Sequence, residues 1–68
     1  MQLDWVFHED DECWIARSGS LEMVISSEWD GWAWDVYGES GRSMSGGVSE
    51  SLEDAMTQCE IAACCVWL

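Results

Sequence analysis

The chain has 68 residues and a formal net charge of −12, because 14 Asp and Glu oppose two Arg and no Lys. A chain of this length builds one thin core, which excludes a second domain or a deep substrate cleft. The charge excludes direct binding to nucleic-acid backbones and to anionic lipid surfaces, since both attract Lys and Arg. An apolar content of 49% with six Trp excludes a disordered chain.

Apolar and polar residues follow a strand-like pattern in four successive segments, which predicts four β-strands. The segments are residues 2–8, 13–17, 21–26 and 32–37. Turn-forming stretches separate them, namely the acidic run 9–12, then 18–20 and 28–31. After a further turn at 38–41, residues 42–48 are a candidate fifth strand, which the pair Gly46-Gly47 weakens.

The last quarter of the chain has the pattern of a helix. Ser51 is a candidate N-cap, and Glu53 and Asp54 follow in the first turn, where carboxylates suit the helix dipole. Apolar residues then recur at spacings of three and four: Leu52, Ala55, Met56, Cys59, Ala62, Ala63 and Val66. This stripe predicts a helix from about residue 52 to 66.

The order of elements predicts an α+β fold in one domain spanning residues 1–68. We expect an antiparallel meander of four to five strands with one C-terminal helix packed across one face. The residues expected to face the helix are Leu3, Trp5, Phe7, Leu21, Met23, Ile25, Trp32, Trp34 and Val36. Two other tryptophans, Trp29 in a turn and Trp67 at the end of the chain, are the ones expected to be exposed.

The residue types that enzymes and metal sites need are scarce. His8 is the only His and there is no Lys, so we expect neither catalysis nor a cofactor. The thiols of Cys13, Cys59, Cys64 and Cys65 lack the paired spacing of a structural zinc site, so we expect no metal. Cys59 lies on the core stripe and is expected to act as a small hydrophobe.

The sequence begins without the basic and apolar regions of a signal peptide and has no run long enough to span a membrane. We therefore expect a cytoplasmic protein whose four cysteines are reduced.

Acidic residues form the candidate partner-binding surface. If alternate residues of each strand face the helix, Asp4, Glu22 and Asp35 share the open face of the sheet. The turns extend that face, so the full candidate set is Asp4, Glu9, Asp10, Asp11, Glu12, Glu22, Glu28, Asp30, Asp35 and Glu39. A merely solvated face does not need such an excess of one charge, because self-repulsion destabilises the compact state.

In charge, size and lack of catalytic residues the chain resembles small phage-encoded DNA-mimic proteins, including anti-CRISPR inhibitors. The resemblance is one of type and covers the whole chain. It implies binding to the basic DNA-binding surface of a CRISPR–Cas effector, at its DNA channel or the surface that reads the protospacer-adjacent motif. Target DNA would then be excluded in the cytoplasm of the host bacterium.

A second resemblance rests on the residues from Gly46 to Ala55 together with Glu60 and Ala62-Ala63. They are similar to the strand-to-helix passage of HicB-type antitoxins, in which a Gly, a capping Ser or Thr, an acidic pair and Ala open a helix. This resemblance implies an acidic protein that neutralises a basic ribonuclease toxin.

A structural or assembly protein of a phage particle is a third alternative, and it would require self-association. The charge instead favours a monomer, or at most a weak dimer, with the acidic face free. A dimer would be expected to use the apolar helix end around Cys64, Trp67 and Leu68.

Overall fold

Five strands and one helix follow one another along the chain, as the sequence predicts. The computed structural model describes the backbone of residues 3–66 and the side chains of residues 3–63. The elements are β1 (Val6–His8), β2 (Cys13–Ser18), β3 (Leu21–Glu28), β4 (Gly31–Tyr37), β5 (Ser43–Ser49) and α1 (Leu52–Val66). The strands form one antiparallel sheet in the order β1-β2-β3-β4-β5, and α1 lies against it. The predicted α+β meander is therefore confirmed, with five strands.

Two-residue loops close the central hairpins. Ser18 pairs with Leu21, and Gly19 between them has a φ of 60°, the left-handed conformation that Gly adopts without steric cost. At the next hairpin Glu28 pairs with Gly31. A Cβ on Gly31 would lie 2.6 Å from the carbonyl oxygen of Ser49, so only glycine lets β5 approach β4 at this point.

The helix begins where its capping residue predicts. The backbone N–H of Asp54 donates a hydrogen bond of 3.1 Å to Ser51 Oγ, and the N–H of Ala55 donates to the Ser51 carbonyl at 3.0 Å. The first bond satisfies an amide of the first helical turn that would otherwise lack an acceptor, and the second is the first regular hydrogen bond of the helix. The helix lies over β4, with β3 and β5 on either side.

The core lies between α1 and the inner face of the sheet. Its buried residues are Leu3, Ala16, Leu21, Met23, Ile25, Trp34, Val36, Ala55, Cys59 and Ala63. Trp5 and Trp32 are half-buried and pack against this cluster, as does Trp14. Cys59 is fully buried, which confirms its predicted place on the core stripe.

The first strand is shorter than predicted, because β1 covers only Val6–His8 of the segment 2–8. Leu3 is nevertheless buried and Trp5 half-buried, so the alternation correctly marked side chains that pack on the core. Phe7 lies in the same cross-strand row as the core residue Ile25, on the face of the sheet predicted for it, but it is 46% exposed. It lies opposite Trp14, at a ring-centroid distance of 5.2 Å, on strands that the helix does not cover.

Several sequence expectations lie outside the described residues. They concern the side chains of Cys64, Cys65 and Val66, and the residues Trp67 and Leu68. Within residues 3–66, no helix is long and apolar enough to cross a membrane.

Candidate partner-binding surface

The meander gathers most of the negative charge at one end of the sheet. In an antiparallel meander, successive connections alternate between the two ends, so the β1–β2, β3–β4 and β5–α1 connections share one end. We call this the acidic end. Its carboxylates are Glu9, Asp10, Asp11, Glu12, Glu28, Asp30, Glu50, Glu53 and Asp54. These residues are all exposed, so nine of the fourteen carboxylates face solvent at one end of the molecule.

The opposite end, which we call the arginine end, carries both cations of the chain. Arg17 lies next to the β2–β3 turn, and Arg42 closes the β4–β5 loop, where its carbonyl accepts a 2.9 Å hydrogen bond from the Gly38 N–H. Glu22 at the same end binds Arg17, with Nη2 2.9 Å from Oε2. Asp4 and Glu39 also lie at this end, so its positive and negative charges nearly cancel. The chain is therefore strongly polarised along its strands.

A fully exposed indole lies in the middle of the acidic end. Trp29 occupies the β3–β4 loop between Glu28 and Asp30, and its side chain is 101% exposed. This confirms the exposure predicted from its position in a turn. An aromatic ring of this size in water, surrounded by carboxylates, offers apolar contact area at the centre of a charged surface.

The acidic loop includes a backbone conformation that is unusual for its residue type. Glu12 has a φ of 50°, in the left-handed region that Gly and Asn adopt more readily than Glu. Its N–H donates a 3.3 Å hydrogen bond to the carbonyl of Glu9, which closes the loop between β1 and β2. A carboxylate thus occupies a position where glycine would relieve strain.

The open face of the sheet is less acidic than the sequence suggests. Glu22 and Asp35 lie on this face, as expected, but both are half-buried and Glu22 is neutralised by Arg17. The Asp35 carboxylate lies over Gly46, since a Cβ there would be 2.7 Å from Oδ1. A cross-strand row of apolar residues, Val6, Ile15 and Val24, continues from Asp35 to the other edge of the sheet.

The predicted acidic set is therefore divided among three places. Six members lie together at the acidic end: Glu9, Asp10, Asp11, Glu12, Glu28 and Asp30. Glu22 and Asp35 lie on the open face, and Asp4 and Glu39 lie at the arginine end. Glu50, Glu53 and Asp54 complete the acidic end but were absent from the predicted set. A firm prediction of the fifth strand would have included them. In a five-stranded meander, β1 and β5 run in the same direction, so the helix that follows β5 begins at the same end as loop 9–12, which follows β1.

The described thiols are buried and protonated at neutral pH. Burial raises the pKa of the Cys59 thiol to about 12, and the charges of Asp35 and Glu60 add to this effect. Burial also raises the pKa of Cys13, helped by the charge of Asp11. Neither thiol is a ready nucleophile or metal ligand in this state. Among residues 3–63, no three His, Cys, Asp or Glu side chains converge to hold a metal ion.

Comparisons of the chain with protein-family models, with curated proteins and with solved structures gave no match.

Proposed function

We propose that this protein is an inhibitor that occupies the basic DNA-binding surface of a nucleic-acid-binding complex and so excludes DNA. The observation that carries the proposal is the concentration of nine exposed carboxylates at the acidic end. Grooves that bind nucleic acid are lined with Lys and Arg, and closely spaced anions can take the place of phosphates there. The target we infer is a CRISPR–Cas effector, as the resemblance to anti-CRISPR proteins implies, reached in the bacterial cytoplasm.

The polarity of the chain supports an end-on approach. Because the charge is concentrated at the acidic end, a basic partner attracts that end and orients the molecule before contact. The nearly neutral arginine end faces away from the partner in this orientation. A uniformly acidic surface would attract the same partner without selecting one orientation.

Trp29 adds a second kind of contact to the acidic end. Proteins that bind single-stranded nucleic acid combine basic side chains for the phosphates with aromatic rings on which the bases stack. An exposed indole between Glu28 and Asp30 offers the same combination in reverse, a flat ring flanked by anions. We propose that Trp29 inserts where a base would stack.

The proposal is tested by neutralising the acidic end and comparing the result with a matched control. The test variant carries Asp10→Asn, Asp11→Asn, Glu28→Gln and Asp30→Asn. The control carries Asp4→Asn, Glu22→Gln, Glu39→Gln and Glu60→Gln, which changes the net charge by the same amount. Each protein is titrated into a gel-shift assay of a CRISPR–Cas effector binding its target DNA.

We expect the native protein to release DNA from the effector, and the test variant to need on the order of 100-fold more protein. The control should stay within a few-fold of the native protein. Added salt should weaken the native interaction steeply and the test variant less steeply, because fewer charges are screened. Loss of inhibition in the control alone would place the binding surface away from the acidic end and contradict the proposal. An effector that keeps its DNA at saturating native protein would contradict the proposal.

A second candidate is an antitoxin-like role, and it rests on the passage from β5 into the Ser51-capped helix, the part of the chain that carries the similarity to HicB-type antitoxins. In this role the acidic end would bind a basic ribonuclease. Capture of binding partners from bacterial lysate, followed by mass spectrometry, separates the candidates. Cas subunits support the first, a small basic ribonuclease supports the second, and a capsid protein would indicate a phage structural role.

A further inference from the structure

The strand β5 forms an open edge of the sheet. Residues 43–48 are exposed, and within the described residues no other strand pairs with their outer side. Natural proteins usually block such an edge with charged side chains, proline or a very short strand. The other edge follows this rule, because β1 has three residues and leads into the acidic loop 9–12. In contrast, β5 has seven residues, Ser-Met-Ser-Gly-Gly-Val-Ser, without charge or proline.

Residues of opposite charge flank this open edge. Arg42 directly precedes β5 at the arginine end, and Glu50 directly follows it at the acidic end, and both are exposed. If a second copy of the strand lies antiparallel to the first, Arg42 of each copy lies at the same end of the paired strands as Glu50 of the partner copy. A parallel arrangement would instead bring the two acidic ends side by side. The charges therefore select the antiparallel orientation.

We propose that two copies of this chain associate through the β5 edges, antiparallel about a two-fold axis, to form one continuous sheet. This proposal does not depend on the proposed function. A bulge at Met44 interrupts the pairing of β4 with β5 between Val36 and Tyr37. The contact between the two copies is therefore expected to involve the regular part of β5 that follows the bulge. Main-chain hydrogen bonds from Ser45–Ser49 to the same residues of the partner copy then centre on Gly47.

The arrangement has room for both helices. Each α1 lies over β4, and in the joined sheet the two β4 strands are three strand spacings apart, or about 14 Å. Packed helices need only about 8–10 Å between their axes, so the helices do not collide. The two acidic ends lie at opposite ends of the sheet, separated by about the length of a strand, roughly 20 Å. That distance exceeds the Debye length of about 8 Å at physiological salt, so their mutual repulsion is screened.

This dimer differs from the sequence-based expectation in the surface that it uses. The sequence predicts a monomer, or at most a weak dimer, because two acidic faces repel each other, whereas in the β5 dimer the carboxylates of each copy lie away from the middle of the contact. The sequence also pointed to the helix end, around residues outside the described part of the chain. Both acidic ends remain accessible in the β5 dimer.

The test is a charge swap across the edge, measured by sedimentation equilibrium over a range of protein concentrations. Arg42→Glu and Glu50→Arg should each raise the dissociation constant of the dimer about tenfold, because each leaves two charges of the same sign at both ends of the paired strands. The double variant R42E/E50R should restore the native value. Arg17→Glu is the matched control, since it makes the same change in net charge as Arg42→Glu away from the β5 edge.

Hydrogen exchange gives an independent readout. Outward-pointing amides of residues 45–49 should become protected as the protein concentration rises, while those of β1 should not. A chain that stays monomeric up to about 1 mM would overturn the proposal. So would a dimer that responds equally to Arg17→Glu and Arg42→Glu, or one whose charge swap does not restore association.

Discussion

The indole of Trp34 lies directly over the α-carbon of Gly47. A methyl group at position 47 would stand 3.1 Å from Cζ2 and 3.3 Å from Nε1 of the ring. The neighbouring Gly46 has the same role on the opposite face, where the Asp35 carboxylate covers it. The glycine pair that weakens the strand pattern of β5 is therefore what allows β5 to pack beside the large side chains of β4.

Gly47→Ala should destabilise the protein by about 1–3 kcal/mol, because the methyl group forces a rigid core side chain to move. Urea denaturation followed by Trp fluorescence measures this cost. In a Trp34→Phe background the same substitution should cost clearly less, since the contacting indole atoms are gone. Equal costs in the two backgrounds would show that Gly47 is needed for some reason other than the indole.

The sequence predicts the fold more completely than it predicts the arrangement of charge on the surface. The fold follows from which side chains are buried, whereas the charge arrangement follows from how the strands are connected and paired. Alternation and helical spacing report which side chains are buried, and this placed Ile25, Val36 and Cys59 correctly. The same alternation extended β1 back to residue 2, since buried side chains such as Leu3 do not require that the backbone pairs with a neighbouring strand. Burial patterns carry no direct information on hydrogen bonding.

The number of strands determines which carboxylates lie together at the acidic end. With four strands the helix would start at the arginine end, and Glu50, Glu53 and Asp54 would lie away from loop 9–12. The Gly46-Gly47 pair left the fifth strand in doubt, because its large neighbours, Trp34 and Asp35, belong to another strand. The packing of β5 beside β4 therefore determines where the helix begins and which carboxylates share one end of the sheet. The pattern of residues along the sequence does not show this packing.

Ser51→Ala should lower the free energy of unfolding by about 1 kcal/mol, because the Asp54 amide loses its 3.1 Å acceptor at Ser51 Oγ. Ser51→Gly should lower the free energy of unfolding by only a few tenths of a kcal/mol, since glycine readily adopts the backbone conformation of an N-cap and leaves the Asp54 amide accessible to water. Chemical denaturation followed by circular dichroism tests both variants. If Ser51→Ala matched the native protein, the hydroxyl would not be the functional cap.

Stability should fall as the pH rises above about 9, where an unfolded Cys thiol begins to lose its proton. In the folded chain, burial raises the pKa of Cys59 from 9.0 to about 12, so the folded state keeps a proton that the unfolded state releases. The expected slope from this residue is on the order of 1 kcal/mol per pH unit between pH 9 and 12. Burial of Cys13 acts in the same direction.

Unfolding of the native protein and of Cys59→Ala at about pH 8 and about pH 10 isolates the contribution of this thiol. The native protein should lose more stability than Cys59→Ala over this interval, although the variant starts lower because of its cavity. Cys59→Ser should be less stable than the native protein at both pH values by about 1–2 kcal/mol, since its hydroxyl is buried in an apolar site. Parallel losses in the native protein and Cys59→Ala would assign the alkaline effect to other groups.

Glu12→Gly should stabilise the protein yet weaken its binding to a basic partner. Glu12 holds a φ of 50° among three other acidic residues of the same loop, so glycine relieves both backbone strain and charge repulsion. The added flexibility of glycine in the unfolded chain offsets part of this gain, which leaves a net increase of up to about 1 kcal/mol.

Glu12→Gln separates the two effects, because it removes the charge and keeps the strained backbone. Under the proposed function, both variants should lose similar affinity for the target in the gel-shift titration, while only Glu12→Gly gains appreciable stability in thermal unfolding. That pattern would indicate that the carboxylate is kept at a cost to stability because binding requires it. If Glu12→Gly instead binds as well as the native protein, the carboxylate at this position does not contribute to the partner-binding surface.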